Sequence, residues 1–304
     1  MLVILAMLVG AIVPVQTAIN TRLRVSVGSP LAATFYSFVI AVVVASGMSC
    51  LTTSTLIPNL AVPASEPWWI WLGGFMGVMF IAGNIVLFPQ LGPIQTVILP
   101  ILGQVLMGLV IDQFGLFASP RVPVGALRLF GAAIVVAGIA IVLDIRNAGP
   151  AKASGAKQWL LRAFGVVMGM GSSTQTAVNG HLGRVLGSPL QAGQISLAVG
   201  LLLLAVLVAV LPQPRRAAAT GVEPGPWWMW LGGALGALFV FGGATLAPML
   251  GTGTTVIGSL TGTIICGQVL ESMGVGGARR GAPAPARIVG LAMVLAGVAM
   301  VRLL

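Results

Sequence analysis

The sequence predicts an all-α integral membrane protein whose ten transmembrane helices form two inverted five-helix repeats. The chain has 304 residues, of which 58% are hydrophobic and only 7% are charged, whereas a soluble domain carries about 25% charged residues. Apolar runs of about 20 residues recur along the chain, and each can cross roughly 30 Å of hydrocarbon. The composition therefore excludes a soluble enzyme, a nucleic-acid-binding protein and a disordered chain.

Ten apolar segments are long enough to span a membrane. They are continuously apolar rather than alternating, which disfavours a β-barrel. The first is interpreted as a retained span rather than a signal peptide, because no positive segment precedes it and an equivalent segment occurs in mid-chain. The ten predicted spans are residues 2–20, 30–50, 69–88, 94–112, 124–143, 160–179, 189–211, 228–247, 254–271 and 288–302.

The chain repeats itself at one constant offset. QTAIN at residues 16–20 recurs as QTAVN at 175–179, GSPL at 28–31 recurs at 187–190, and WWIWLGG at 68–74 recurs as WWMWLGG at 227–233. Each pair is separated by 159 positions (175 − 16, 187 − 28 and 227 − 68). We therefore divide the chain into a first repeat (1–143), a cytoplasmic linker (144–159) and a second repeat (160–304).

Each repeat has an odd number of spans, which predicts that the second repeat enters the membrane from the side opposite to the first. A pseudo-two-fold axis would then lie in the membrane plane, as in many secondary transporters. The basic residues predict the orientation. With both termini outside, eleven of the 15 basic residues lie in inner loops and four lie outside. The outer four are Arg121, Arg128, Arg184 and Arg302.

Two pairs of amides are the first candidates for a substrate-binding site. Gln16 and Asn20 are four residues apart and share one face of the first helix, and Gln175 and Asn179 repeat the pattern on the sixth. Uncharged amides within a span need hydrogen-bond partners and therefore face the protein interior. They either bind substrate near the pseudo-axis or hold neighbouring helices together.

Two further amides are substrate-binding candidates without a repeated counterpart. Asn84 lies in the third span and Gln104 in the fourth, and the equivalent positions hold Gly243 and Thr263. Amides present in one repeat alone suit a site for one particular substrate. The alternative is that neutral drift has produced the difference between the repeats.

The acidic residues limit the mechanism, because none of the five lies in the middle of a span. Asp112 and Glu271 are repeat-related and lie at the ends of the fourth and ninth spans, which makes them the candidates for proton coupling. The alternative is that they pair with a nearby arginine such as Arg128 or Arg287. Without a buried carboxylate, a neutral or weakly polar solute fits better than a dication.

The sequence contains no catalytic or metal-binding motif such as HExxH, GxSxG or Walker A. We therefore expect no enzyme activity, no cofactor and no metal. The expected partners are membrane lipid and a small-molecule substrate, with no nucleic acid, and the chain acts alone or as a homodimer.

The QTA[IV]N and WWxWLGG blocks, each present twice and in order, resemble the YdcZ-type inner-membrane proteins of the drug/metabolite transporter superfamily. That family includes separate five-span proteins and fused antiparallel ten-span forms, and this chain resembles a fused form. The resemblance implies a bacterial inner-membrane exporter without indicating its substrate. We expect a secondary transporter that works by alternating access between the repeats. A passive channel and a non-transporting accessory membrane protein are the alternatives.

Overall fold

The computed structural model describes residues 1–143, 155–250, 252–275 and 284–303, and within these residues the chain forms helices and no strand. Short 3₁₀ helices at Trp68–Trp71 and Trp227–Trp230 precede α4 and α10, and a third covers Leu116–Ala118. The α-helices are α1 (Leu2–Val27), α2 (Pro30–Thr53), α3 (Ala61–Ala64), α4 (Leu72–Leu91), α5 (Pro93–Phe114), α6 (Ala126–Leu143), α7 (Gly155–Leu186), α8 (Pro189–Val210), α9 (Pro212–Ala219), α10 (Leu231–Leu250), α11 (Thr252–Ser272) and α12 (Pro285–Leu303).

Eight helices within the described residues are long and apolar enough to cross a membrane. They correspond to eight of the ten predicted spans. The other two predicted spans lie in α7 and α11, which are 32 and 21 residues long but are not among the eight. Both helices carry many hydroxyl and amide side chains, which lower their hydropathy. Length and composition therefore support a multi-span membrane protein.

The GSPL blocks set where the first helix of each repeat ends. The prediction ended the first span at residue 20, but α1 continues through polar residues to Val27 and stops at Gly28, whose φ is 77°. Only glycine adopts this left-handed conformation without strain. Ser29 then caps α2 by accepting a hydrogen bond from the Ala32 amide. In the second repeat, Ser188 caps α8 in the same way.

Only part of the predicted linker lies within the described residues. Residues 144–154 lie outside the described residues. Residues 155–159 are helical, because α7 begins at Gly155, so the predicted boundary at residue 160 falls inside this helix.

The helices of the two halves are interleaved rather than packed as separate bundles. In the first half, α1 packs against α10 and α11 of the second half, and α7 packs in the equivalent way against α4 and α5. The repeat-equivalent helices also contact each other, α2 against α8 and α6 against α12. The largest group of buried apolar side chains lies on α4 to α7, α11 and α12. The core is therefore shared by both halves.

Glycines bring α6 and α12 into backbone contact. A Cβ on Gly138 would lie 2.6 Å from the carbonyl oxygen of Gly290, and a Cβ on Gly297 would lie 2.5 Å from that of Gly131. Small residues at such crossings let helices approach closely in a membrane. Because the start of one helix meets the end of the other, α6 and α12 run antiparallel.

A proline inside α1 creates a polar tie to α11. Pro14 has no amide hydrogen, so the carbonyl of Gly10, four residues earlier, loses its helical partner. The Thr263 hydroxyl of α11 donates a hydrogen bond of 2.8 Å to this carbonyl. The proline is thus accommodated by the opposite half of the chain.

Candidate functional site

Each predicted asparagine lies against a glycine of the other half. Asn20 on α1 lies so close to Gly232 on α10 that a side chain at Gly232 would overlap the Asn20 amide. Asn179 on α7 has the same relation to Gly73 on α4. Both glycines belong to the repeated WWxWLGG block, so that block and the QTA[IV]N block are in contact across the two halves.

The predicted glutamines repeat this arrangement one helical turn away. A Cβ on Gly236 would lie 2.6 Å from Nε2 of Gln16, and a Cβ on Gly77 would lie 2.8 Å from Nε2 of Gln175. Each amide pair therefore faces a glycine surface, where no side chain covers the opposing helix.

Two of these four amides have buried side-chain atoms without a hydrogen-bond partner among the described residues. Asn20 is only 1% exposed, and neither its Nδ2 nor its Oδ1 is hydrogen-bonded there; Oδ1 of Asn179 is in the same state. A buried, unpaired polar group costs about 1–3 kcal/mol. An amide that served only to join helices would be expected to have a partner on the opposing helix, so these groups are suited to binding a polar atom of a solute.

The two unrepeated amides occupy different surroundings. Asn84 on α4 is 4% exposed, and its Oδ1 also lacks a partner among the described residues. Gln104 on α5 instead donates a weak hydrogen bond of 3.4 Å to the Ser172 hydroxyl of α7. The structure therefore brings the repeated amides together in two groups, Gln16 with Asn20 and Gln175 with Asn179, and gives Gln104 a separate contact.

Both candidate carboxylates are ion-paired at the ends of their helices. Asp112 on α5 pairs with Arg128 on α6, and Glu271 on α11 pairs with Arg287 on α12. Glu271 Oε2 also accepts a hydrogen bond of 3.0 Å from the Ile94 amide at the start of α5. The pairing considered as an alternative in the sequence analysis is thus present in both repeats.

Sequence reasoning missed a second arginine beside Asp112. Arg302, near the end of α12, interacts electrostatically with Asp112 and Arg128. Its guanidinium passes over Gly108, where a Cβ would lie 3.5 Å from Nη2 of Arg302. The equivalent position in the first repeat is Leu143, so the repeat pattern gave no signal for this residue.

Sequence reasoning also missed an apolar cavity of about 420 Å³ between α2, α4, α7 and α8, which is broadly open to the outside of the helix bundle. None of the six predicted substrate-binding amides lines it. Its wall is mainly one face of α4, and Gln213 of α9 is its polar member. Apolar residues are ordinary in a membrane helix, so no motif marked this site.

A single family profile matches residues 1–141 and again residues 160–300, and the family is described as "Putative inner membrane exporter, YdcZ". The chain belongs to this family. It is a multi-pass inner-membrane protein of an exporter family, not of an enzyme family, and the match confirms both the resemblance and the two repeats.

No curated protein matches the chain. A solved crystal structure of a protein aligns with 98% of this chain and 96% of its own, at 16% sequence identity and a TM-score of 0.58. At this identity the likeness concerns the fold alone, over the full length of both chains.

Proposed function

We propose that the chain is a secondary transporter that exports a small, neutral or weakly polar solute by alternating access between two antiparallel repeats. The observation that carries this proposal is the reciprocal contact of the repeated amides with glycines of the opposite repeat. Each of these contacts is shared between the repeats, and secondary transporters built from inverted repeats bind their substrates at the interface between the repeats.

The antiparallel packing of equivalent helices supports the inverted arrangement. Gly131 and Gly138 of α6 correspond to Gly290 and Gly297 of α12, yet Gly131 meets Gly297 and Gly138 meets Gly290. Two equivalent helices that cross antiparallel are related by an axis perpendicular to them. In a membrane-spanning bundle, that axis lies in the membrane plane. The two repeats would then cross the membrane in opposite orientations, and the linker 144–159 would lie on the cytoplasmic side, as predicted.

The relative depth of the amides supports a site near the middle of the bundle. Arg24 on α1 donates a hydrogen bond of 3.1 Å to the carbonyl of Ile85 on α4, so the levels of these two positions agree to within the length of an arginine side chain. Gln16 lies eight residues before Arg24, and Gly77, which contacts Gln175, lies eight before Ile85. At 1.5 Å per residue, both glutamines lie about 12 Å from that level. The asparagines then lie about 6 Å to either side.

The chemistry of the residues favours an uncharged solute. Amides donate and accept hydrogen bonds without carrying charge, and the carboxylates of Asp112 and Glu271 are already paired with arginines. If protons drive export, protonation of either carboxylate would break its pair and loosen α5 from α6 or α11 from α12. Asp112 and Glu271 are therefore retained as the proposed coupling residues.

The positions of the basic residues support termini outside a bacterial inner membrane. Arg128 donates to the Val301 carbonyl near the C-terminus, and Arg184 donates to the Ala118 carbonyl. These contacts gather cations assigned to the outside at one end of the bundle. The lower number of cations at that end agrees with the positive-inside rule.

Solute counterflow in liposomes containing the purified protein tests the proposal. A screen of uncharged solutes should find one that exchanges across the membrane, and Gln16→Ala combined with Gln175→Ala should reduce exchange at least about tenfold, as expected for lost hydrogen bonds. Thr176→Ala is the matched control, because Thr176 is exposed and its hydroxyl donates to the Ser172 carbonyl of its own helix.

Three results would contradict the proposal. A flux above about 10⁴ per second, beyond typical turnover numbers, would indicate a channel. No exchange of any solute would favour an accessory protein. Loss of thermal stability that accounts for the whole loss of exchange would assign the amides to helix packing.

A further inference from the structure

The apolar cavity follows one face of α4. Its α4 lining residues recur at three- and four-residue intervals, which places them on one side of the helix. They are Phe75, Val78, Met79, Ala82, Gly83 and Val86. From the first to the last the cavity extends about 16 Å along the helix. Leu203 and Leu207 of α8 form the opposite wall.

The lining indicates the chemistry of an occupant. Eleven of the twelve lining residues are apolar or glycine, and Gln213 is the exception. A charged solute would lose its hydration there without a compensating partner. Phe75, which is 49% exposed, and Phe164 offer two aromatic rings. The volume of about 420 Å³ falls within the range of about 300–1,000 Å³ for small-molecule sites.

The lining is not repeated in the second half. Phe241 occupies the position equivalent to Ala82, and Ala234 the position equivalent to Phe75. Both repeats contact the same bilayer, so a surface shaped only for acyl chains would not require this difference. A lining that differs between the two repeats suits a solute that the protein meets on one side of the membrane.

Polar contacts join the opposite end of the α2–α8 seam. Gln194 at the start of α8 donates hydrogen bonds of 2.9 Å to the Ser46 hydroxyl and 2.7 Å to the Leu56 carbonyl. Leu203 and Leu207 lie two to four helical turns further along α8 and line the cavity instead. At the cavity end of the seam, Gln213 donates a hydrogen bond of 3.0 Å to the Gly28 carbonyl and accepts one of 3.1 Å from the Ser29 hydroxyl. Polar contacts therefore join both ends of the seam, and the lining between them is apolar.

We propose that this cavity is the entry site for an uncharged, mainly apolar solute that carries an aromatic ring. The inference rests on the proposed export function and narrows its substrate class. It places the first binding step between α4 and α8, outside the four repeated amides.

Photoaffinity labelling tests the inference. The full chain in lipid nanodiscs is irradiated with an uncharged naphthyl diazirine, with naphthalene as competitor, and the adducts are mapped by mass spectrometry. Saturable adducts are expected on the α4 and α8 residues of the cavity. Ala82→Phe, which introduces the residue of the other repeat, should reduce them at least about tenfold by filling the space. The matched control Phe241→Ala should leave them unchanged.

A second variant, Leu203→Trp, fills the cavity from the opposite wall and replaces Ala82→Phe if that protein does not fold. Labelling that does not saturate, that excess phospholipid displaces, or that persists in the filled variant would overturn the inference. Gln16→Ala with Gln175→Ala separates the two proposals. The double variant and the wild type could both show saturable labelling while neither exchanges solute in liposomes. That result would retain the cavity as a binding site and refute the export function.

Discussion

The backbone crossings between the halves give the sharpest stability test. An added Cβ on Gly169 of α7 would overlap the carbonyl of Pro100 on α5, and one on Gly10 of α1 would overlap the carbonyl of Ser259 on α11. The obstructing atoms belong to the main chain, so no side-chain rotation relieves the overlap and the helices must separate. We therefore test Gly169→Ala and Gly10→Ala.

The expected magnitude follows from two opposing terms. Overpacking a well-packed contact costs about 1–3 kcal/mol, and a rigid backbone neighbour favours the upper end. Replacing a mid-helix glycine by alanine returns about 0.5–1 kcal/mol. The net loss is therefore about 2 kcal/mol. At an unfolding entropy of about 2.1 cal/mol/K per residue, this corresponds to a Tm lower by about 3 °C for 304 residues.

Thermal unfolding of the purified variants in one detergent measures the effect. Gly47→Ala is the matched control, because a Cβ there meets nothing within 4 Å, and it should be slightly more stable than the wild type. Because the two crossings are repeat-equivalent, Gly10→Ala and Gly169→Ala should lower the Tm by similar amounts. A Gly169→Ala protein as stable as Gly47→Ala would refute the close crossing.

Two further predictions concern polar contacts between helices. Thr263→Val should lower the free energy of unfolding by about 1–2 kcal/mol, because it leaves the Gly10 carbonyl unpaired. The loss should be smaller in a Pro14→Ala background, where the new amide restores the helical hydrogen bond to Gly10. Equal losses in both backgrounds, measured by thermal unfolding, would contradict this. Asp112→Asn should destabilise the protein by about 3 kcal/mol and more than Glu271→Gln, because the arginine left unpaired, Arg128, is 8% exposed whereas Arg287 is 26% exposed. Arg302 adds a second positive charge beside Arg128; the reverse order in thermal unfolding would refute the burial argument.

The repeat offset made the paired elements predictable, but it could not reveal contacts. It identifies Asn20 with Asn179 and Gly73 with Gly232, yet the contacts join Asn20 to Gly232 and Asn179 to Gly73. Equivalence in sequence states which residues have the same surroundings, and not which residues provide them. The helices that meet had to come from the structure.

Other features lacked any local pattern. Oε2 of Glu66 lies 2.8 Å from Nε2 of His181, which is 115 residues away in the chain. Neither residue belongs to a repeated block. The lining of the apolar cavity differs from the equivalent positions of the other repeat in side-chain size, as at Ala82 and Phe241. Hydropathy averages over such differences, since alanine and phenylalanine both suit a membrane helix.

The interleaving of the halves has a consequence for how the chain is made. The partners of α1, α10 and α11, begin more than 200 residues later in the chain. At about 5–20 residues per second, roughly 10–40 s separate the synthesis of α1 from that of its partners. During this interval the Asn20 amide and the Gly10 carbonyl lie in a half-built bundle without their final neighbours. The polar groups of α1 that face the second half therefore gain their final surroundings only after α10 and α11 have been made.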